Sequence, residues 1–290
     1  QGGLGTITGT VVDSADAVVP NATVKVVQLS TNAERTTVTN EVGIFNVPSL
    51  VASNYTITIT APGMKEKKLE NLTLNAFQTM TLGRIMLEVG SGPATVVTIT
   101  AEQQMMTTEH AVRADTIQAR QVADMPLQGR NWSTLLKIIP GSTPRNTNAM
   151  NGREAGYDGY GDFRVNGKNQ QQTQVNLDGG SNIDHGSDSK TTVTPSLESI
   201  QEVSILTNNF QAEHGIRAGT VINIVTKSGT NDWHGTAWDY IRNEAFNATP
   251  WTDAFFGRPN PRYRYNYFGG NLGAPIRKDK LFFFFNHENL

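Results

Sequence analysis

Alternation between apolar and polar residues dominates the first third of the chain and predicts a series of short strands. The clearest case is residues 55–60, in which Tyr55, Ile57 and Ile59 alternate with threonines and should therefore face a core. Polar turns separate this segment from its neighbours. The predicted strands are residues 4–12, 22–29, 36–39, 44–47, 55–60, 69–74 and 80–87. This number and spacing of short strands is typical of a β-sandwich.

Residues 95–101 form an isolated β-prone segment outside this series. Residues 90–93 (Gly-Ser-Gly-Pro) predict a linker before it, and residues 102–114 are polar without a clear period. The segment consists of Thr95, Val96, Val97, Thr98, Ile99, Thr100 and Ala101. An isolated strand has an exposed edge, which is either an aggregation hazard or a strand offered to a partner. An ordinary linker strand is the alternative.

Helical and strand patterns mix in residues 115–228, which predicts an α+β domain. Asp115 is expected to cap a short helix that carries Ile117 and Val122, and Asn131 to cap a second one that ends at Pro140. Residues 163–167 and 173–177 are predicted to pair as strands. Residues 199–206 and 219–226 are further strands, and the apolar run in the latter is typical of a buried central strand.

Aromatic residues become frequent in residues 229–290. Residues 263–267 alternate strictly between aromatic and polar, and the run 281–285 (Leu-Phe-Phe-Phe-Phe) follows a short charged turn. A water-soluble domain would have to bury such a run completely. In an outer-membrane β-barrel, aromatic girdles, alternating strands and tight turns on one side are expected.

Composition narrows the classes of function. The net charge is −2, without the basic stripe that nucleic-acid binding needs. The absence of cysteine excludes a disulfide scaffold and a thiolate metal site. The sequence contains no run of about 18 apolar residues, so it predicts no transmembrane helix. The start at Gln1, without Met or leader, is interpreted as a mature N-terminus after signal-peptide cleavage, with an arbitrary boundary as the alternative.

Several motifs resemble known families. Residues 5–13, 20–24 and 40–45 resemble the carboxypeptidase regulatory-like sandwich. Residues 125–131 (Met-Pro-Leu-Gln-Gly-Arg-Asn) are similar to the start of the plug domain of large TonB-dependent outer-membrane receptors. Further plug-like motifs are residues 163–167, 176–179, 198–203, 212–215 and 225–231, and residues 233–236, 268–276 and 278–284 resemble the first barrel strands. The motifs occur in the family's order and cover nearly the whole chain.

The resemblance implies a mainly β architecture in four parts. These are a Greek-key β-sandwich (residues 1–89), a linker with a candidate TonB-binding strand (90–114), an α+β plug domain (115–228) and the initial strands of an incomplete transmembrane antiparallel β-barrel (229–290). The N-terminal domain is expected in the periplasm of a Gram-negative bacterium, and the barrel in outer-membrane lipid.

The family also implies a mechanism. The plug closes a barrel of about 22 strands, and a substrate, here unknown, binds at its outer face. The energy-coupling protein TonB pairs with a short strand, the Ton box, and pulls on the plug. Residues 95–101 lie where a Ton box is expected, although Ala94 precedes them where an acid is commoner. Strand addition suits this role because main-chain hydrogen bonds supply the affinity.

Four charged residues lie within the plug motifs: Arg130, Arg164, Glu202 and Glu213. Some of them are expected to form buried pairs that hold the plug to itself or to the barrel wall. Removal of one partner would leave an unpaired buried charge, which is costly. We therefore expect these pairs to resist displacement of the plug.

Two polar loops are weaker candidates for binding. Tyr157 and Tyr160 lie among acidic residues and could line a substrate surface, with a solvated loop as the alternative. Asp178, Asp184 and Asp188 are oxygen ligands of the kind that calcium prefers. Aspartate is also a common turn residue, so no metal site is predicted.

No enzyme motif is present, and no cofactor is expected. The five histidines are scattered and no His-Glu-x-x-His occurs, although a zinc site needs about three clustered ligands. The nucleophile elbow and the phosphate loop are also absent.

The leading hypothesis is energy-coupled import across the outer membrane. Its difficulty is that residues 229–290 suffice for only about four barrel strands. The alternative is a surface structural or adhesive protein that self-assembles through strand exchange.

Overall fold

The computed structural model is mainly β and forms two compact units, Gln1–Lys227 and Ser228–Leu290. No helix in the described part of the chain is both long and apolar enough to cross a lipid bilayer. The structure describes residues 4–90, 94–98, 113–125, 127, 130, 132–144, 163–168, 172–184, 186, 191–208, 219–260, 262 and 264–289.

The first unit begins with a two-sheet sandwich, as predicted. Its strands are β1 Gly5–Val12, β2 Thr23–Gln28, β3 Glu34–Val38, β4 Ile44–Leu50, β5 Ser53–Thr60, β6 Lys67–Leu74, β7 Thr79–Met86 and β8 Thr95–Thr98. One sheet has the order β4-β1-β7 and the other β3-β2-β5-β6-β8. All seven predicted strands are confirmed, and the isolated segment joins the larger sheet at its edge.

The sandwich core follows from the alternation along each strand. Ile57 and Ile59 of β5 are fully buried, together with Val24 of β2 and Ile7 of β1. Each such side chain contributes about 1.5–3 kcal/mol through burial. Tyr55, the third predicted core residue, is also buried, and its hydroxyl donates a hydrogen bond to the Val51 carbonyl at 2.7 Å. Burial raises the pKa of Tyr55 to about 12.

The rest of the first unit is organised around a five-stranded sheet of order β13-β12-β15-β14-β9. The elements are β9 Arg113–Gln118, α1 Ala119–Asp124, a 3₁₀ helix Trp132–Ile138, β10 Ser142–Pro144, β11 Phe163–Val165, β12 Gln174–Leu177, β13 Gly180–Ser181, β14 Ile200–Asn208 and β15 Val221–Thr226. The predicted central strand is confirmed, since β15 lies in the middle of the sheet and its Val221, Ile222 and Ile224 are buried.

The prediction of a helix capped by Asp115 is wrong. Asp115 and Ile117 lie on strand β9, and only Ala119–Asp124 is helical. Strand β9 pairs antiparallel with β14, with Ile117 opposite Val203 and both side chains buried. Pairing with a distant strand therefore overrides the weak local helix signal in this β-branched segment.

The predicted pairing of residues 163–167 with 173–177 is also wrong. Strand β11 pairs with β10, and β12 pairs antiparallel with β13 and parallel with β15. Gln174 and Val175 are both buried, so β12 is covered on both faces and has no alternation from which its partners could be deduced.

The predicted second helix is present as a 3₁₀ helix. Trp132, Leu135 and Leu136 are fully buried in the core that also contains the central sheet residues. The helix ends at Ile138, before Pro140, as predicted. Its expected cap, Asn131, lies outside the described residues.

The second unit is an antiparallel meander of order β16-β17-β18. Its strands are β16 His234–Asn243, β17 Arg264–Arg277 and β18 Leu281–Asn289, which confirms the predicted strands over residues 263–267 and 281–285. The described residues hold three strands rather than four. The described residues between β16 and β17, which are 244–260 and 262, contain the helix α2 Trp251–Phe255 instead.

Candidate functional site

The candidate TonB-binding strand is paired within the sandwich. Thr95–Thr98 forms β8, which runs parallel to β6 with Lys68 opposite Val96 and Leu69 opposite Val97. The backbone N–H of Thr95 donates to the Glu66 carbonyl at 2.8 Å. Ile99, Thr100 and Ala101 lie outside the described residues.

The two faces of β8 differ in environment. Val97 is half-buried and packs against the sandwich core beside the buried Leu69, whereas Val96 on the opposite face is 54% exposed. This difference follows from the two-residue period of a strand. Strand β8 is the last in its sheet, so its outer edge has no strand partner among the described residues. The segment therefore has what strand addition requires, namely an extended backbone with an open edge.

A buried carboxylate joins the sandwich to the central sheet. Glu202 on β14 is 4% exposed and accepts the backbone N–H of Ala76 at 3.0 Å to Oε1 and 3.2 Å to Oε2. Ala76 lies in the turn between β6 and β7. Burial raises the pKa of Glu202 to about 7, although the Ala76 hydrogen bond opposes this shift. Glu202 is thus buried, as predicted, but it bonds to a backbone amide rather than to a cation among the described residues.

A second contact crosses the same junction. The side-chain amide of Gln201 donates to the carbonyl of Ala52, just before β5, at 3.3 Å. Glu202 and Gln201 are adjacent on β14, and they reach the two neighbouring sandwich strands β5 and β6 from one end. Sequence analysis missed Gln201, because its contact lies 149 positions away along the chain.

Arg130 forms the buried ion pair that the plug motifs predicted. Its Nη2 lies 2.7 Å from Oε1 of Glu198, and the two side chains are 14% and 10% exposed. The partner, Glu198, was missed by sequence analysis as a site residue, although it begins the motif 198–203. Lys227 lies close to the same carboxylate. Burial lowers the pKa of Lys227, and the charge of Glu198 opposes that shift.

Other predicted site residues do not form a cluster in the described part of the chain. Arg164 is exposed on β11, and a pairing role for it stays a prediction. It belongs to a two-stranded sheet with β10, in which the neighbouring Val165 is the buried residue. Glu213, Tyr157 and Tyr160 lie outside the described residues.

The weak calcium candidates serve local structure. Asp178 accepts hydrogen bonds from the N–H of Thr226 at 2.9 Å and from its hydroxyl at 2.8 Å. Asp184 accepts the N–H of Gly186 at 2.9 Å, as turn aspartates commonly do. Asp188 lies outside the described residues. Within the described ranges, no group of three or more His, Asp or Glu side chains could hold a metal ion.

Two family models match parts of the chain. A carboxypeptidase regulatory-like domain matches residues 6–88, and an outer membrane beta barrel domain matches residues 225–290. These ranges correspond to the sandwich strands β1–β7 and to the meander.

Known proteins are similar to the chain over longer stretches. The TonB-dependent transporter Oar of Myxococcus xanthus is 29% identical over 301 aligned positions, which cover 96% of this chain and 26% of that protein. The chain therefore spans about a quarter of the length of this curated relative.

Solved receptor structures also match part of the chain. The siderophore receptor PirA from Acinetobacter baumannii is 19% identical with a TM-score of 0.41, over 63% of this chain and 24% of the receptor. PirA from Pseudomonas aeruginosa is 17% identical with a TM-score of 0.38, over 57% and 25% respectively. At these values neither structure informs the chemistry of this chain.

Proposed function

Because the chain is related to the TonB-dependent outer-membrane receptors, we propose that it takes part in energy-coupled import across the outer membrane, with residues 115–228 as the plug and residues 95–101 as the TonB-binding strand. The protein is an outer-membrane protein. The observation that carries the proposal is the similarity to a TonB-dependent transporter over 96% of the chain.

The described strands support this assignment in their order along the chain. The last sandwich strand along the chain is β8, and the five-stranded sheet with its Arg130–Glu198 pair comes next. A pull on residues 95–101 would be transmitted along the backbone to β9, which is the edge strand of that sheet. A pull on residues 95–101 therefore acts on β9, which belongs to the proposed plug.

The meander supports a membrane-embedded barrel segment. Phe285 is 60% exposed and Ile241 is 66% exposed, although both lie within regular strands. Exposed apolar side chains along a strand are costly in water and favourable against lipid. The connection between β17 and β18 is a tight turn, which is expected on the periplasmic side of such a barrel.

Cysteine cross-linking tests the proposal directly, because the chain has no cysteine of its own. Single variants at each position from Thr95→Cys to Ala101→Cys would be combined with a cysteine-substituted periplasmic domain of TonB. Cross-links should form along residues 95–101. They should be absent from Ser14→Cys, an exposed turn residue of the sandwich that serves as the control.

The outcomes separate the proposed functions. A yield no higher than that of the Ser14→Cys control at all seven positions would contradict the TonB-binding role. Cross-links between two copies of the chain, in place of links to TonB, would favour assembly through strand exchange, for which the open edge of β8 is the supporting observation.

A further inference from the structure

We propose that the connection between β16 and β17 binds the outer leaflet, where an aromatic cluster at α2 enters the lipid and two arginines bind lipid phosphate groups. The proposal rests on the proposed function, because it takes the meander to be part of a membrane-embedded barrel. The observation that carries it is a group of four exposed aromatic side chains in this connection. They are Phe246, Trp251, Phe255 and Phe256, named here the aromatic cluster.

The aromatic cluster projects from the surface of the second unit. Its four side chains are 65–81% exposed. Trp251 stacks on Phe255 with ring centroids 5.2 Å apart, and Phe256 meets Phe255 edge-on at 5.1 Å. Sites for small soluble ligands are concave and enclose most of the ligand. A projecting group of Trp and Phe side chains suits a lipid interface instead, because such side chains bury their rings at the boundary of headgroups and acyl chains.

Contacts within the connection hold the aromatic cluster in place. The side-chain amide of Asn260 donates to the carbonyls of Glu244 and Asn247, at 3.0 and 3.2 Å, and so closes the base of the connection. Nε of Arg264 lies 3.0 Å from Oε1 of Glu244, which ties the start of β17 to the same base. The aromatic side chains are therefore carried on an ordered segment, which lowers the entropy lost on binding.

The aromatic cluster follows directly on the apolar face of the meander. Ile241, near the end of β16, is 66% exposed and pairs with Asn266, so Phe268 lies on the same face two residues further along β17. Phe246 comes shortly after Ile241 along the chain. The tight turn between β17 and β18 lies at the opposite end of the strands. Short turns of outer-membrane barrels are periplasmic and long connections extracellular, which assigns the aromatic cluster to the outer leaflet.

Charge in this segment complements an anionic lipid. Residues 242–264 contain four arginines and two acids, whereas the whole chain has a net charge of −2. The Arg258 guanidinium lies 5.3 Å from the centre of the Phe256 ring and is 68% exposed, with Nη1 at 4.0 Å from Oδ1 of Asp253. Arg262 is also exposed. Arginine binds phosphate oxygens in a bidentate manner, so both side chains suit a phosphorylated headgroup beside the aromatic cluster.

Quenching by lipid tests the contact of the aromatic cluster, because the chain has no cysteine of its own. A bimane label would be attached to Phe255→Cys, to Phe285→Cys on β18 and to Ser14→Cys in the sandwich. The labelled proteins, purified from outer membranes, would be reconstituted in phosphatidylcholine vesicles with and without brominated acyl chains. Brominated lipid should lower the fluorescence of the labels at positions 255 and 285 and leave that of the Ser14→Cys control unchanged.

Binding of lipid A, the phosphorylated glycolipid of the outer leaflet, tests the two arginines. The affinity of the purified protein for lipid A and for its dephosphorylated form would be measured in detergent. Arg258→Gln/Arg262→Gln should weaken binding of phosphorylated lipid A by about tenfold or more and leave binding of the dephosphorylated form unchanged. Arg277→Gln/Lys278→Gln removes the same charge at the other end of β17, and this matched control should bind as wild type does.

The remaining outcomes separate this inference from the proposed function. Quenching at position 285 without quenching at position 255 would overturn the lipid contact and leave the proposed function standing, as expected if the aromatic cluster binds a soluble ligand. Quenching at neither position would overturn the membrane-embedded meander and with it the proposed function. An unchanged affinity of Arg258→Gln/Arg262→Gln for phosphorylated lipid A, or an equal loss in the matched control, would overturn the phosphate site.

Discussion

Glu202 occupies an environment that is unfavourable for a charged carboxylate. It is 4% exposed, and its hydrogen bond in the described structure comes from the backbone N–H of Ala76. Burial without a cation disfavours the ionised form, which is why the pKa of Glu202 rises to about 7. The junction between the sandwich and the five-stranded sheet therefore contains a group whose pKa is raised to about 7.

The raised pKa predicts a pH-dependent junction. A carboxyl whose folded-state pKa exceeds its unfolded value contributes stability that is fully present below the unfolded pKa, near 4.5, and is lost as the pH rises through about 7. Glu202→Gln mimics the protonated form. The variant should therefore gain stability relative to wild type between pH 5 and pH 8, by at most about 3 kcal/mol.

Thermal unfolding of the full chain at several pH values would measure this gain. Glu41→Gln, on an exposed turn of the sandwich, is the matched control and should follow wild type at every pH. A constant difference between Glu202→Gln and wild type across this range would contradict the prediction.

Sequence motifs located this residue but not its partner. Glu202 and Arg130 both lie in the motifs quoted from the sequence; Glu202 is buried, and Arg130 is partly buried in its pair with Glu198. The partner of Glu202 is a backbone amide 126 positions away, so no side-chain pattern could indicate it. Arg164 also lies in such a motif, but its side chain is exposed on β11.

At the scale of single elements, local pattern predicted the strands of the sandwich well and those of the five-stranded sheet less well. Every predicted sandwich strand is present. Strands such as β1, β2 and β4 are bounded by turn residues and covered on one face, which preserves the alternation. In the five-stranded sheet, β9 was predicted as a helix, and β12 was predicted as a strand but with the wrong partner. The partners β14 of β9 and β15 of β12 are distant along the chain, so local pattern does not indicate them.

The turn between β3 and β4 gives a prediction at this scale. Gly43 has a φ of +71°, and a Cβ at this position would lie 2.7 Å from the Val11 carbonyl oxygen. Gly43→Ala should therefore destabilise the sandwich by about 2–4 kcal/mol, from the left-handed backbone and the clash together.

Gly63→Ala is the matched control for this turn. Gly63 has a φ of +75° but nothing within 4 Å of a Cβ, so the substitution should cost only about 1–2 kcal/mol. Hydrogen exchange of sandwich peptides, measured by mass spectrometry, would give the loss of stability in both variants. Equal losses of protection in the two variants would show that the contact with Val11 does not contribute to the free energy of unfolding.

At the scale of the whole molecule, the first unit contains two separate hydrophobic cores. One is built from sandwich residues such as Ile57, and the other from residues such as Leu136 around the five-stranded sheet. Hydrogen bonds of Glu202 and Gln201 connect the sandwich to this sheet. Within the described residues the two cores share no buried apolar side chain, so they should behave as two cooperative units.

This arrangement predicts that a destabilising substitution in one core leaves the stability of the other core unchanged. Ile57→Ala should remove about 2–5 kcal/mol from the sandwich and raise hydrogen exchange in β2, β5 and β6, while β14 and β15 keep their protection. Leu136→Ala should have the reverse effect, so each variant controls for the other. If either substitution raised exchange equally in both cores, the two cores would unfold as one unit.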